Sequence, residues 1–213
     1  MVTFHGIPAR AFDFYAGLQA DNSRAYWAAH KGVYDDCVKA PLSALLEELE
    51  PRFGAAKLFR PSRDVRFSAD ASPYKTQQGA LVGDSTGVGY YVAVDAEGLV
   101  VGGGFHAHSR EQTARLRSAV DSPDSGQRLE GIVADLLHGG FDQLGVRVKT
   151  APRGYPTDHP RIDLLRYAEL MFLKRFGTPA WVSTRRALPR IAGAWDSLGP
   201  LVSWLRTHVG DVS

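Results

Sequence analysis

Residues 89–103 read GYYVAVDAEGLVVGG. Two short runs rich in β-branched and aromatic residues, 89–94 and 99–103, are separated by Asp95-Ala96-Glu97-Gly98, a turn whose glycine suits a tight hairpin. A hairpin fixes antiparallel pairing, so the neighbouring runs are read as extensions of the same sheet. Upstream, residues 78–82 form another β-rich run. Before it, Val65 and Phe67 alternate with Asp64, Arg66 and Ser68 at the period of a half-buried strand. Residues 58–104 therefore predict an antiparallel meander. Residues 83–89, GDSTGVG, resemble a phosphate loop in composition, but β-type residues follow and no helix N-terminus is supplied. A hairpin loop is expected there.

On both sides of this stretch the period changes to that of helices. In residues 9–53, Phe12, Tyr15 and Leu18 share a face, and Asp21-Asn22-Ser23 supplies turn and N-cap chemistry. Tyr26, Trp27, His30 and Tyr34 continue the pattern, and Leu42, Leu45, Leu46 and Leu49 form a stripe between Pro41, tolerable in a first turn, and Pro51, which closes it. Ser109-Arg110-Glu111-Gln112 has capping-box spacing ahead of two helices broken at Pro123 and ended by Gly139-Gly140. Residues 146–150 alternate like a strand, 152–160 form a loop rich in breakers, 162–167 suggest a short helix, 170–176 a last strand and 179–209 further helix. The expected fold is α+β, one domain over residues 1–213, with an antiparallel sheet flanked by N-terminal and C-terminal helices.

The chain has 213 residues and a formal net charge of +2, too small to point to nucleic acid. A single cysteine, Cys37, excludes an internal disulfide. MVTFHGIPAR has no basic region leading into an apolar run, and no stretch of about 18 apolar residues occurs. A cytoplasmic protein without membrane association is expected.

Charge is concentrated in residues 57–76, KLFRPSRDVRFSADASPYKT, where Lys57, Arg60, Arg63, Arg66 and Lys75 face only Asp64 and Asp70. Guanidinium groups beside buried apolar residues need anionic or carbonyl partners. Two readings follow. In one, Arg63 and Arg66 pair with acids of the helices, such as Asp35, Asp36 or Glu47. In the other, Arg60, Arg66 and Lys75 converge on a phosphate or carboxylate while Tyr74 and Thr76 donate hydroxyls. Pro73 holds Tyr74 and Lys75 in defined directions, and a lysine among arginines has a lowered pKa, which makes Lys75 the candidate base or nucleophile.

A second constellation is residues 152–161, PRGYPTDHPR. Asp158-His159 between Arg153 and Arg161 can orient an imidazole, or Asp158 can cap the helix that follows; capping is the favoured expectation. His106 and His108 with His159 or Asp158 offer only a weak metal set, without recognised ligand spacing. Tyr26, Trp27, Tyr34, Trp181, Trp195 and Trp204 fall at helical spacing and are expected in the core.

DNSRAYWAAHKGVYDD, FRPSRDVRFSADASPYKT, GYYVAV with GGGFH, and PRGYPTDHPRIDLL resemble the family catalogued as domain of unknown function 2461, found in bacteria and fungi, over roughly residues 4 to 205. The resemblance implies no activity or cofactor. Its pattern falls on Arg60, Arg63, Asp64, Arg66, Phe67, Ser68, Asp70, Pro73, Tyr74 and Lys75, and on Arg153, Gly154, Asp158, His159 and Pro160. Ala69 and Ala71 stand where many relatives carry lysine, which argues against a broad polycationic surface. The expected function is binding of a small anionic ligand by Arg60, Arg63, Asp64, Arg66, Ser68, Asp70, Tyr74, Lys75, Arg153 and His159. The alternative is a module that docks an acidic protein partner through the same basic face.

Overall fold

The structure is a computed structural model that describes residues 3–63, 72–83, 87–107 and 109–210. Helix α1 (Arg10–Ala20) buries Phe12, Phe14, Tyr15 and Leu18. Helix α2 (Arg24–Val33) starts at Ser23, whose hydroxyl accepts the Tyr26 N–H at 3.1 Å, the N-cap chemistry expected of that turn. A π-helical turn, Tyr34–Lys39, then leads without a break into α3 (Ala40–Phe53). Pro41 lies in the first turn of α3 and has no N–H to give the carbonyl four residues back; the wider turn just before it takes up the misfit. Pro51 does not end this helix. It runs on to Phe53, and Gly54, at φ +100°, stops it.

Six strands form one antiparallel sheet: β1 (Ala56–Leu58), β2 (Gln77–Gly83), β3 (Val88–Asp95), β4 (Gly98–Phe105), β5 (Asp142–Leu144) and β6 (Leu170–Gly177). Their order is β1-β2-β3-β4-β6-β5, a meander through β4 that β6 and β5 extend. The hairpin at 95–98 is present, with the Asp95 carboxylate accepting the Glu97 N–H at 2.8 Å and Gly98 at φ +115°. Every residue of β4 is buried. At Gly104, φ is +146° and a side chain would run into the Leu170 carbonyl, so the glycine run is what lets β6 pair so closely.

Helices α4 (Arg110–Asp121) and α5 (Pro123–His138) break at Pro123 as expected, and the Ser109 hydroxyl accepts the Gln112 N–H at 3.2 Å. A short α6 (Ile162–Leu165), a 3₁₀ turn (Ala180–Ser183) and α7 (Ala187–His208) complete the chain. A second expectation fails. Residues 146–150 are not a strand; the strand precedes them at Asp142–Leu144, and only Arg147 bridges, to Tyr167. Gly145, at φ +139° and pressed on the Glu169 carbonyl, ends the regular ladder.

The chain forms two compact units. The first comprises Met1–Val82, Tyr91–Val101 and Arg175–Gly193, and buries Phe4, Ile7, Phe14, Tyr15, Leu18, Val38, Leu42 and Leu45. Within it, Arg185 forms a forked pair with Glu48 at 2.9 Å and also donates to the Phe4 carbonyl, while Phe4 N–H donates to Glu48 at 2.7 Å. The second unit comprises Gly83–Tyr90, Gly102–Lys174 and Ala194–Ser213. It buries Phe105, Leu116, Leu129, Phe172, Trp195, Leu198 and Trp204, and the Trp204 N–H donates to the Ser125 carbonyl at 2.9 Å. Among the described residues no helix is long and apolar enough to cross a membrane.

Candidate functional site

Residues 61–63 and 73–75 of the first unit form a short antiparallel ladder. Ser62 bridges Tyr74, the Arg63 N–H donates to the Pro73 carbonyl at 2.9 Å, and the Lys75 N–H donates to the Pro61 carbonyl at 2.8 Å. Strand alternation turns Ser62 and Tyr74 to one face and Arg63 and Lys75 to the other.

The Tyr74 face is held by α2 and the residue before its cap. Asn22 grips the Tyr74 backbone twice: its amide nitrogen donates to the Tyr74 carbonyl at 3.0 Å, and its oxygen accepts the Tyr74 N–H at 3.1 Å. The Tyr74 ring stacks on Trp27, with centroids 4.2 Å apart and planes 8° from parallel. Trp27 in turn meets Tyr34 at 4.8 Å and Phe14 at 5.7 Å. The Tyr34 hydroxyl, which the π turn carries inward, donates to the buried Gln78 side chain at 2.7 Å, and Gln78 donates to the Phe59 carbonyl at 2.7 Å. Burial first, then the nearby Asp35 carboxylate, push the Tyr34 phenol up to about 12.

On the other face the Lys75 ammonium lies 5.3 Å from the centre of the Phe59 ring. Its pKa is lowered from the ordinary lysine value, chiefly by burial and then by the positive charges of Arg60 and Arg63. Arg63, Tyr74 and Lys75 are half-buried and Arg60 is exposed. Among the described residues no carboxylate pairs with Lys75 or Arg60, and Asp35, one expected partner of the arginines, pairs with Lys31. Of the predicted set, Arg60, Arg63, Tyr74 and Lys75 come together. Asp64, Arg66, Ser68 and Asp70, with the strand expected at 64–68, lie outside the described residues.

Arg153 and His159 belong to the second unit. Arg153 is exposed. His159 Nδ1 accepts the Arg161 N–H at 3.0 Å, so Nε2 carries the proton of the neutral ring and donates to Asp121 at 3.0 Å. Asp158 is exposed and does not cap α6; the residue in the cap position is Arg161, with no side-chain cap. Arg161 closes the C-terminal end of α4 instead, donating to the carbonyls of Val120 at 2.6 Å and Asp121 at 2.8 Å. The constellation is a clasp on α4. His106 pairs with Glu169 at 3.1 Å, and among the described residues no group of three or more His, Cys, Asp or Glu is placed to hold a metal.

Asn22 and Trp27 are the site-building residues that the sequence reading assigned elsewhere, Asn22 to a turn and Trp27 to the core. Their signal was present in the co-occurrence of DNSRAYW and SPYKT among the motifs shared with the resembled family. The structure joins those two motifs. The fold is an α+β protein with a six-strand antiparallel sheet, and the candidate site is an aromatic-backed cluster of cations. The chain belongs to the family described as conserved hypothetical protein (DUF2461), whose profile matches residues 10–204. No curated protein matches the chain.

Proposed function

We propose that Arg60, Arg63 and Lys75 bind a small anionic ligand, phosphate- or carboxylate-bearing, on the ladder that Asn22 and Trp27 hold in place. One observation carries this reading: the Lys75 ammonium sits on an aromatic ring beside two arginines whose charge opposes its own. An anion there relieves that repulsion and favours the charged form of the lysine, which strengthens binding. Arg60 supplies a planar fork at the exposed rim, suited to two oxygens of one group. The lowered pKa favours the neutral amine relative to an ordinary lysine, and Lys75 is the residue that would serve as base or nucleophile in any turnover.

A thermal-shift series with phosphate, sulfate, sugar phosphates, nucleotides and dicarboxylates tests the reading. A ligand present at a hundred times its dissociation constant adds about 2.7 kcal/mol of stability. Arg60→Ala and Lys75→Ala should each remove the shift while leaving the protein folded. A series without any shift overturns the proposal. Because Arg60 and Lys57 are exposed, an acidic segment of a partner protein is the competing occupant; a response to polyglutamate peptides alone identifies it.

A further inference from the structure

Strand β1 stands at one end of the sheet, with β2 as its one neighbour among the described residues. The Phe59 N–H donates to the Gly79 carbonyl at 3.0 Å, and in the same register Ala56 faces Val82, Lys57 faces Leu81 and Leu58 faces Ala80. Hydrogen-bonded pairs alternate along an antiparallel ladder, so Lys57 bonds to β2 while the N–H and C=O of Ala56 and of Leu58 turn away from it. Among the described residues nothing bonds to those four groups. Side chains alternate too. Ala56 and Leu58 line a cleft of about 220 Å³ whose other wall is a face of α3 carrying Leu46, Glu47 and Glu50, and Lys57 falls on the opposite face of the strand. Glu47 and Glu50 are exposed, and among the described residues neither carboxylate has an ion-pair or hydrogen-bond partner. Glu47, expected to pair with an arginine, stands at this edge instead.

We propose that β1 accepts an extended segment of a partner protein, antiparallel, in which a basic, an acidic and a basic residue follow one another. The two basic residues lie opposite Leu58 and Ala56 and exchange backbone hydrogen bonds with each, which occupies all four open groups. Opposed residues of a ladder share a face, so the basic side chains enter the cleft, where Leu46 takes their methylene stems and Glu47 and Glu50 their charges. Side chains three apart on a helix are about 5 Å from each other, and alternate residues of a strand about 6.8 Å, so each cation meets one carboxylate. The acidic residue between them lies on the other face, opposite Lys57. A segment of reversed charge sets like charges together at all three positions. A second copy of β1, paired over the same four groups, opposes Lys57 to itself and brings no charge to either glutamate.

The test uses the full-length chain and a capped, fluorescently labelled peptide Val-Arg-Glu-Arg-Val, read by anisotropy. Saturable binding is expected below about 1 mM peptide. Methylating the amide nitrogens of both arginines, which face β1, should weaken it at least about tenfold. Methylating the glutamate nitrogen, which faces outward, should leave it unchanged, as should no other change of charge or composition. Glu47→Lys with Glu50→Lys should abolish the response. Ala56→Pro removes one outward donor without touching the β1–β2 ladder, a place where a strand accepts proline, and should weaken binding about fivefold. No saturable binding overturns the proposal; so does equal loss from both methylations, which would show attraction of charge without strand addition. Equal binding of the order Val-Arg-Arg-Glu-Val overturns the alternation. A chain that sediments as a dimer and ignores the peptide overturns it as well, and gives the edge to a second copy. If a variant does not fold, the methylated peptides decide on the unmodified chain.

Discussion

At Lys75 the folded chain holds a charge against its surroundings, and the sign of the resulting pH dependence follows from that. The folded pKa is lowered below the ordinary lysine value, with burial the largest cause and Arg60 and Arg63 next. Between the folded and the unfolded pKa the unfolded chain binds more protons, so stability rises with pH across that window. Below it, both states are protonated and the folded state bears the full penalty. Tyr34 and Tyr91 act in the opposite sense: burial raises both to about 12, so their contribution is intact below the ordinary tyrosine value and lost as pH climbs through about 12. Comparing variants separates these effects. Lys75→Met should raise the melting temperature at neutral pH, and the gain should shrink as pH approaches the ordinary lysine range while the tyrosine-dependent loss remains. A melting temperature that falls at neutral pH would show that the ammonium group stabilises the fold.

Among the elements, the junction of α4 with α5 depends on one glycine. Gly126, in the first turns of α5, is buried, and a methyl group there would overlap the Val120 carbonyl oxygen and approach the Arg161 Nε to 2.5 Å. That Nε is the donor that closes the end of α4 on Val120. Backbone and clasp cannot both stay in place, so Gly126→Ala should cost about 1–3 kcal/mol, read from the midpoint of urea unfolding. Arg161→Met in the Gly126→Ala background should then cost less than Arg161→Met alone, because the clasp is already displaced. The sheet has a comparable dependence at β4, where glycine at 104 admits the backbone of β6.

For the whole molecule, the path of the chain bears on how it unfolds. Strands β3, β4 and β6 each begin in one compact unit and end in the other, with crossings after Tyr90, Val101 and Lys174. From this path of the chain we propose that it behaves as one domain. Calorimetry should give a single transition in which the measured enthalpy equals the van't Hoff enthalpy. Two transitions, or a van't Hoff value well below the calorimetric one, would divide it into two domains.

Local chemistry determined what could be read from the residues alone. The 95–98 turn, the Ser23 and Ser109 caps, the break at Pro123 and the apolar stripes of α1, α3 and α7 depend on neighbours a few residues apart, and the α+β class with an antiparallel sheet follows from them. The cluster at Arg60, Arg63 and Lys75 was legible for the same reason, as an excess of charge within one short stretch. Tertiary structure decided everything that needed a distant partner. Asn22 reads as a turn residue until Tyr74, 52 positions away, is brought to its amide. Trp27 reads as core until the same ring lies on it. Asp158 does not cap α6, and Arg161 closes the end of α4 because that end, some forty residues earlier, arrives beside it. The edge strand shifted from 146–150 to 142–144 because pairing with β6 sets where it starts, and a backbone carbonyl against Gly145 sets where it stops. Periodicity records which faces a segment has; only the packed chain determines what each face meets.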